Sequence, residues 1–547
     1  MISALQFPCR LLGLLILCRL AALSLAASTE DWRFRSIYQV FTDRFARSDG
    51  STTAECDPRK GLICGGTWRG IINKMDYIQG LGFDAIMISP VAKNIDGLSK
   101  YGEAYHGYWA QDLYQLNPHF GTRQDLLDLA RELHSRGMYL MVDIVINNMA
   151  VILDGKPFTS IDYTMFNPFN DPKYYHPYCK IEDYSNYTQA RNCWMGDDVV
   201  ALPDLNTESE EVNEMMESWV KGLVANYSID GLRIDAAKHV GPEYLKRVAK
   251  ASGVFATGEV YEGDVAKVCD FQNLLPSVPN YPLYFSMIET FTAGKTKVYS
   301  EKLSLEKATC NDITTLATFT ENHDLPRFAS YTKDISLAQN AIVFTLLSDG
   351  IPLYYQGQEQ HFSGGDTPEN REALWTSNYN TDAPLYKLTA TLNKIRAHVI
   401  RVNAEYVINK SYIIYSDGSA LITRKGVEGS HLTVVYSNQG EHGGPYRIDL
   451  RSSYAPGMIV TEVLGCTNYT VDPTGTLAVP MDAGLPKVIF PAEKMPGSGL
   501  CGTPDWIAHN NTLNSGSSSL RHGALGLAGV PMGMILTALT ASFIGLL

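Results

Sequence analysis

Short apolar runs alternate with stretches of helical periodicity from about residue 36 to 400, the pattern of parallel strands joined by crossover helices. Eight segments read as strands: "SIYQVFT", "FDAIMIS", "YLMVDIV", "DGLRID", "GVFATGEV", "YPLYF", "LATFTEN" and "IPLYYQG". Together they predict an α/β fold, a (β/α)8 TIM barrel over 28–145 and 229–405, with functional residues where strands end at one mouth. The connection after the third strand, 146–228, is long and rich in Tyr, Asn, Asp and Pro, so it is read as a small inserted domain. Over 406–502 the helical period gives way to alternation, as in "YVINKSYIIYSDGSALITRKG" and "HLTVVYSN", which predicts a C-terminal antiparallel β-sandwich.

The two ends carry different signals. Residues 1–27 combine Arg10, an apolar "LLGLLILC" and a small-residue "LSLAAS", as in a secretory signal peptide. A membrane anchor fits less well, because the apolar core is short and broken by Arg19. At the far end an uncharged apolar run follows "NSGSSSLRHG". Small residues at Asn514, Ser515 and Gly516 before it match a glycosylphosphatidylinositol (GPI) attachment signal, with 503–514 as tether, Asn514 anchored and 515–547 removed. A retained transmembrane helix is the weaker reading, since nothing charged follows to hold a cytosolic end. The expectation is a secreted monomer held on the outer face of the cell membrane or in the wall.

A net charge of −13 speaks against nucleic-acid partners. Ten cysteines become eight without Cys9 and Cys18, an even number that implies disulfides in a secreted chain. Their spacing suggests Cys56 with Cys64, Cys179 with Cys193, Cys269 with Cys310 and Cys466 with Cys501. No pair has the gap of a zinc site. Sequons stand at Asn186, Asn226, Asn409, Asn468 and Asn510. Asn226 is expected to stay unmodified because a buried strand follows it.

In a barrel of this kind the chemistry belongs at the C-terminal ends of the strands. They give Asp143, Asn147 and Asn148 after the third strand, Arg233 and Asp235 after the fourth, Glu259 after the fifth, and His323 and Asp324 after the seventh. Each carboxylate alone is as often a helix cap or an ion-pair partner. Asp235, Glu259 and Asp324 converging on one mouth are what glycosidic bond cleavage requires. Arg233, two residues before Asp235 on the same strand face, is expected to keep Asp235 ionised as nucleophile. The apolar "GVFATG" before Glu259 is expected to favour its protonated form, as a general acid needs.

At these residues the sequence resembles a family. "DIVINN", "GLRIDAAKH", "GEV" and "FTENHD" look like the four ordered signature regions of the α-amylase family, glycoside hydrolase family 13. The resemblance is closest to the fungal members, runs from about Trp32 to Cys501, and includes the cysteine spacing and the "YHGYW" segment. It implies a retaining mechanism on α-1,4-linked glucan, with Asp235 as nucleophile, Glu259 as acid/base and Asp324 as transition-state stabiliser. Tyr105, His106, Tyr108, Trp109, Arg233 and His323 match residues around the scissile sugar, and Lys238 and His239 match acceptor-side positions. Without the resemblance His106 reads as structural and the aromatics as core. The same comparison implies calcium, Ca2+, with Asn147 and Asp204 as side-chain ligands and Arg191 and His239 lending backbone oxygens. Alone, Asp204 in "LPDLN" reads as a turn residue.

Two positions depart from the pattern. Asn148 stands where the family has a histidine contacting the sugar's 6-hydroxyl, and Thr367 stands where fungal members have an aspartate paired with the position of Arg371. An amide is shorter than imidazole and carries no charge, which predicts hydrolysis weakened by about an order of magnitude. Together with the anchor signal, this resembles the anchored fungal homologues that act as 4-α-glucanotransferases on cell-wall α-glucan. Transfer between maltooligosaccharide donor and acceptor is therefore the leading expectation. Endo-hydrolysis is the alternative, and a non-catalytic glucan-binding protein comes last because the three carboxylates are intact.

Overall fold

The computed structural model describes residues 27–505 apart from Ser452. The expected signal peptide, most of the expected tether, Asn510 and the expected attachment site Asn514 lie outside them. Five barrel strands appear where the apolar runs predict them: Ile37–Val40, Ala85–Ile88, Tyr139–Ile144, Gly231–Ile234 and Phe255–Gly258. The seventh and eighth are Ala317–Thr318 and Ile351–Tyr355. The parallel sheet runs fifth, fourth, third, second, first, eighth, seventh, and each of these strands is buried almost throughout. Burial on both faces is why they are continuous apolar runs.

The sixth place is a correction. "YPLYF" is not a strand but the first turn of helix Tyr281–Ala293, capped by Asn280, whose Oδ1 accepts from Leu283 N at 3.0 Å. An Asn cap followed by proline in the first turn is a helix start. The barrel is closed instead by residues 277–279, through parallel bridges from Ser277 to Thr257 and from Pro279 to Ala317.

The inserted stretch also divides differently from the expectation. Its own small sheet pairs Val151–Ile152 and Met195–Gly196 with Val200–Leu202. The 18-residue helix Glu210–Tyr227, inside the expected insertion, packs instead on helix Pro242–Ser252 as a barrel crossover. It buries Val212, Met216, Trp219, Val220 and Leu223, and Trp219 Nε1 donates to Leu113 O at 2.6 Å. This apolar stripe at helical spacing was masked by the polar loop before it.

The C-terminal module has a six-stranded antiparallel sheet and a two-stranded ribbon, Tyr446–Arg451 with Thr476–Met481. Ile448, Leu450, Leu477 and Val479 of the ribbon share a core with Val435, Val460 and Ile489 of the sheet. Buried polar contacts join the module to the barrel. Lys425 Nζ lies 3.3 Å from Asp349 Oδ1, and Ser411 Oγ donates to Asp349 Oδ2 at 2.8 Å. All four expected disulfides are present. Asn186, Asn226 and Asn468 are exposed, while Asn409 is half-buried and its sequon hydroxyl is the one bonded to Asp349.

One buried acid makes stability depend on pH. Glu306 is 1% exposed, accepts from Asn280 Nδ2 at 3.1 Å, and leaves its second oxygen without a partner. Burial pushes its carboxyl up to about 8. The unfolded chain releases that proton near the ordinary glutamate value, so between there and pH 8 the folded state binds more protons and stability falls as pH rises. Glu306→Gln removes this dependence. Thermal unfolding should show the variant more stable than the parent at pH 8, with the gap closing near pH 4; a gap independent of pH would contradict the assignment.

Candidate active site

Parallel register brings the site together. Asp143 of the third strand lies opposite Arg233 of the fourth, and Arg233 and Asp235, two residues apart, face the same way. Arg233, 4% exposed, reaches three carboxylates. Its Nη1 is 2.7 Å from Asp235 Oδ1 and 2.9 Å from Asp143 Oδ2, and its Nη2 is 3.0 Å from Glu259 Oε1. Tyr108 OH donates to Asp143 Oδ2 at 2.6 Å.

Asp324 is held from the other side. Arg371 Nη2 meets its Oδ1 at 3.1 Å and His323 Nε2 meets its Oδ2 at 3.1 Å. Burial, and next the charge of Arg371, push His323 well below the ordinary histidine range, so its ring is neutral. Gln39 Nε2 is 2.9 Å from His323 Nδ1. An amide nitrogen only donates, so Nδ1 accepts and Nε2 carries the hydrogen given to Asp324. Arg371 also donates through Nε to His323 O at 2.9 Å and through Nη1 to Tyr105 OH at 3.0 Å. Thr367 Oγ1 donates to the same His323 carbonyl at 3.2 Å.

The expected charge states need correcting. Arg233 was expected to keep Asp235 ionised, yet its one charge is divided among three carboxylates. Burial, with the charges of Glu259, Asp143 and Asp324, raises Asp235 well above the usual carboxylate range against the pull of Arg233. Burial likewise pushes Asp143 up to about 6, with Arg233 opposing it. The apolar surroundings expected for Glu259 are also absent. Its carboxylate meets Arg233, Tyr281 OH at 3.2 Å and Ala236 N at 3.2 Å.

These groups open on a cleft of about 460 Å³. Of the residues singled out in the sequence, Asp235, Glu259, Asp324, His106, Tyr108, Trp109, Lys238, His239, His323 and Arg371 line it. Tyr105 and Arg233 lie beneath, acting through their neighbours. Asn148 is buried at 3% exposure and turns its amide onto Met149 O at 3.2 Å, away from the lining. Met195, Ala236 and Tyr261 complete the wall. Sequence reasoning missed them because none bears chemistry at a strand end. It also missed Tyr281 and Asn322, although Asn322 stands within "FTENHD".

The expected calcium ligands lie beside the cleft. An antiparallel bridge between Asn148 and Asp204 brings the two segments together, and the Asn147 amide stands next to the Asp204 carboxylate. Both polar atoms of the Asn147 side chain and Asp204 Oδ1 are buried without a hydrogen-bond partner. Burial pushes Asp204 up to about 7, with His176, 2.7 Å from its Oδ2, opposing. His239 Nδ1 donates to Ala190 O at 2.9 Å, next to Arg191. Orphaned buried oxygens of this kind need a partner, and amide, carboxylate and backbone oxygens suit a hard cation. Among the described residues no three His, Cys, Asp or Glu cluster to hold a metal, so an ion here would rest largely on neutral oxygens.

Comparison with known proteins agrees with this geometry. The family described as alpha amylase, catalytic domain, matches residues 39–387, and the one described as alpha-amylase, domain C, matches 413–506. Alpha-amylase 1 of Schwanniomyces occidentalis is 45% identical over 478 residues, 87% of this chain and 93% of that protein. Alpha-amylase 1 of Lipomyces kononenkoae is 48% identical over 474 residues, 86% of this chain and 76% of that one. The solved structure of an alpha-amylase from Malbranchea cinnamomea is 47% identical with a TM-score of 0.84, covering 87% of this chain and all of its own. A catalytic-domain match across most of the barrel, a following domain C and relatives of this identity place the chain in the α-amylase family of glycoside hydrolases.

Proposed function

We propose that this enzyme cleaves α-1,4-glucan with retention and passes the released glycosyl group chiefly to another sugar. The observation carrying the mechanism is the single guanidinium shared by Asp235 and Glu259. Two carboxylates held by one guanidinium lie on neighbouring sides of a single small cation, which supports the short separation of about 5 Å that a retaining glycosidase uses over the wider gap that admits a water. Asp235 attacks the anomeric carbon while Glu259 gives its proton to the departing oxygen. The resulting ester is opened by a hydroxyl that Glu259 deprotonates in turn. Asp324, fixed by His323 and Arg371, offers negative charge to the oxocarbenium-like transition state. The reactive form carries the proton on Glu259 and none on Asp235, and the burial and crowding that raise Asp235 work against that form while Arg233 favours it.

Water and a sugar hydroxyl compete for the ester. On the acceptor side, the half-exposed Tyr261 ring and Met195 give a sugar apolar surface beside Lys238, which supports a bound acceptor over water. Asn148, turned onto a backbone carbonyl, is consistent with a lost contact to the donor sugar. Endo-hydrolysis remains the second reading, favoured by relatives that carry the name alpha-amylase. The C-terminal sequence supports anchoring by GPI at Asn514 outside the cell, with wall α-glucan as substrate.

Incubation with pure maltoheptaose discriminates the two. Early products longer than the substrate are expected; only shorter ones would overturn transfer. Asn148→His is expected to raise the hydrolytic share by about tenfold, on the scale of one transition-state hydrogen bond, and an unchanged share would show that Asn148 does not set the partition.

We further propose that Asn147, Asp204 and the backbone oxygens of Arg191 and His239 hold calcium, which would pin the inserted segment to the barrel mouth and neutralise Asp204. Binding to the folded state alone stabilises it. The unfolding midpoint should drop by several degrees in chelator and recover with added calcium, and the Asp204→Asn variant should lose most of this response. A midpoint indifferent to chelator and calcium would remove the site.

A further inference from the structure

We propose that Asn322 and Tyr281 form a one-way hydrogen-bond chain that fixes the general acid's proton on Oε2 of Glu259. The inference rests on the reading of Glu259 as acid. The direction of the chain is set by a group that cannot reverse. The backbone N–H of Asp324 only donates, and it reaches Asn322 Oδ1 at 2.9 Å. The amide nitrogen of Asn322 therefore faces the other way and donates to Tyr281 OH at 3.1 Å. With its oxygen accepting, Tyr281 has its own hydrogen left for Glu259 Oε1, 3.2 Å away.

Arg233 Nη2 meets that same oxygen at 3.0 Å. Two donors on Oε1 leave no place there for a third hydrogen. Among the described residues Oε2 accepts only from Ala236 N, at 3.2 Å, so it is the oxygen that carries the transferable proton. During cleavage the Oε2–H bond breaks and the proton goes to the departing oxygen, whose bond to C1 breaks as Asp235 bonds to C1. The carboxylate left on Glu259 keeps both donors on Oε1.

Tyr281 is built to stay a donor. It is 1% exposed, and burial followed by the charges of Glu259 and Asp324 raises its phenol well above the ordinary value. Its ring stands edge-on to Phe319 at 5.0 Å and to Tyr261 at 4.9 Å. Asn280 just before it is tied to the seventh strand through Ala317 O at 2.8 Å. Other groups also face Glu259: the cations Arg233 and Lys238, the carboxylates Asp143 and Asp235, the Tyr261 phenol, and the rings of His239 and His323. They are untouched by removing one phenolic hydroxyl, so Tyr281→Phe isolates the chain.

A bond donated to a carboxylate favours its ionised form. Without it the acid keeps its proton to higher pH. On maltoheptaose, Tyr281→Phe should lower kcat about tenfold with little change in KM and move the alkaline limb of kcat/KM up by about half to one pH unit, the scale of one hydrogen bond. A uniform loss with the limb unmoved, as a purely structural role would give, overturns the chain. Asn322→Asp accepts from both Asp324 N–H and Tyr281 OH, drawing the phenolic hydrogen off Glu259. It should move the limb upward in the parent and not in the Tyr281→Phe background. An equal movement in both would be a plain charge effect and would overturn the proposal. Glu259→Gln tests the underlying reading separately: it should lose maltoheptaose turnover and keep the first-turnover burst of fluoride from α-maltosyl fluoride, whose leaving group needs no proton. Keeping both would overturn the acid assignment and the chain with it.

Discussion

One buried guanidinium organises this molecule's chemistry. Arg233 brings positive charge into the barrel mouth and finds three carboxylates, Asp143, Asp235 and Glu259, within 3.0 Å. A buried charge without partners is strongly unfavourable, and so is a cluster of buried carboxylates without a cation. Each side of the arrangement therefore depends on the other. The barrel supplies the geometry through register, since Asp143 and Arg233 are direct cross-strand partners. Asp235 and Glu259 then share one rigid planar group.

Much of this was legible in the sequence, for a physical reason. Parallel strands buried on both faces are written as apolar runs, and a polar residue just after such a run, as at Asp235 or Glu259, has little to do but face the mouth. What was not legible depended on three dimensions. The sixth strand is three residues with single bridges, too short to leave a pattern, and the apolar run beside it opens a helix. The charge state of Asp235 depends on how many carboxylates share Arg233, which no local sequence states. Tyr281 was hidden because its segment was read as a strand.

The two departures from the family pattern sit at different depths. Thr367 lies beside His323, where its hydroxyl and Arg371 meet the same His323 carbonyl, and Arg371 puts one arm of its guanidinium on Asp324. Asn148 is folded back onto the chain at the edge of the small inserted sheet, next to the residues suited to calcium. Both changes leave the Arg233 cluster intact.

Cleavage by Asp235 as nucleophile with Glu259 as acid leaves its mark on the stereochemistry of the first turnover. Proton NMR of freshly released ends during cleavage of an α-1,4-linked oligosaccharide reads it before mutarotation. With retention, every newly formed reducing end or transfer linkage is α at first. An initial β-anomer would contradict it, because it would mean that Asp235 and Glu259 stand far enough apart to admit a water between them.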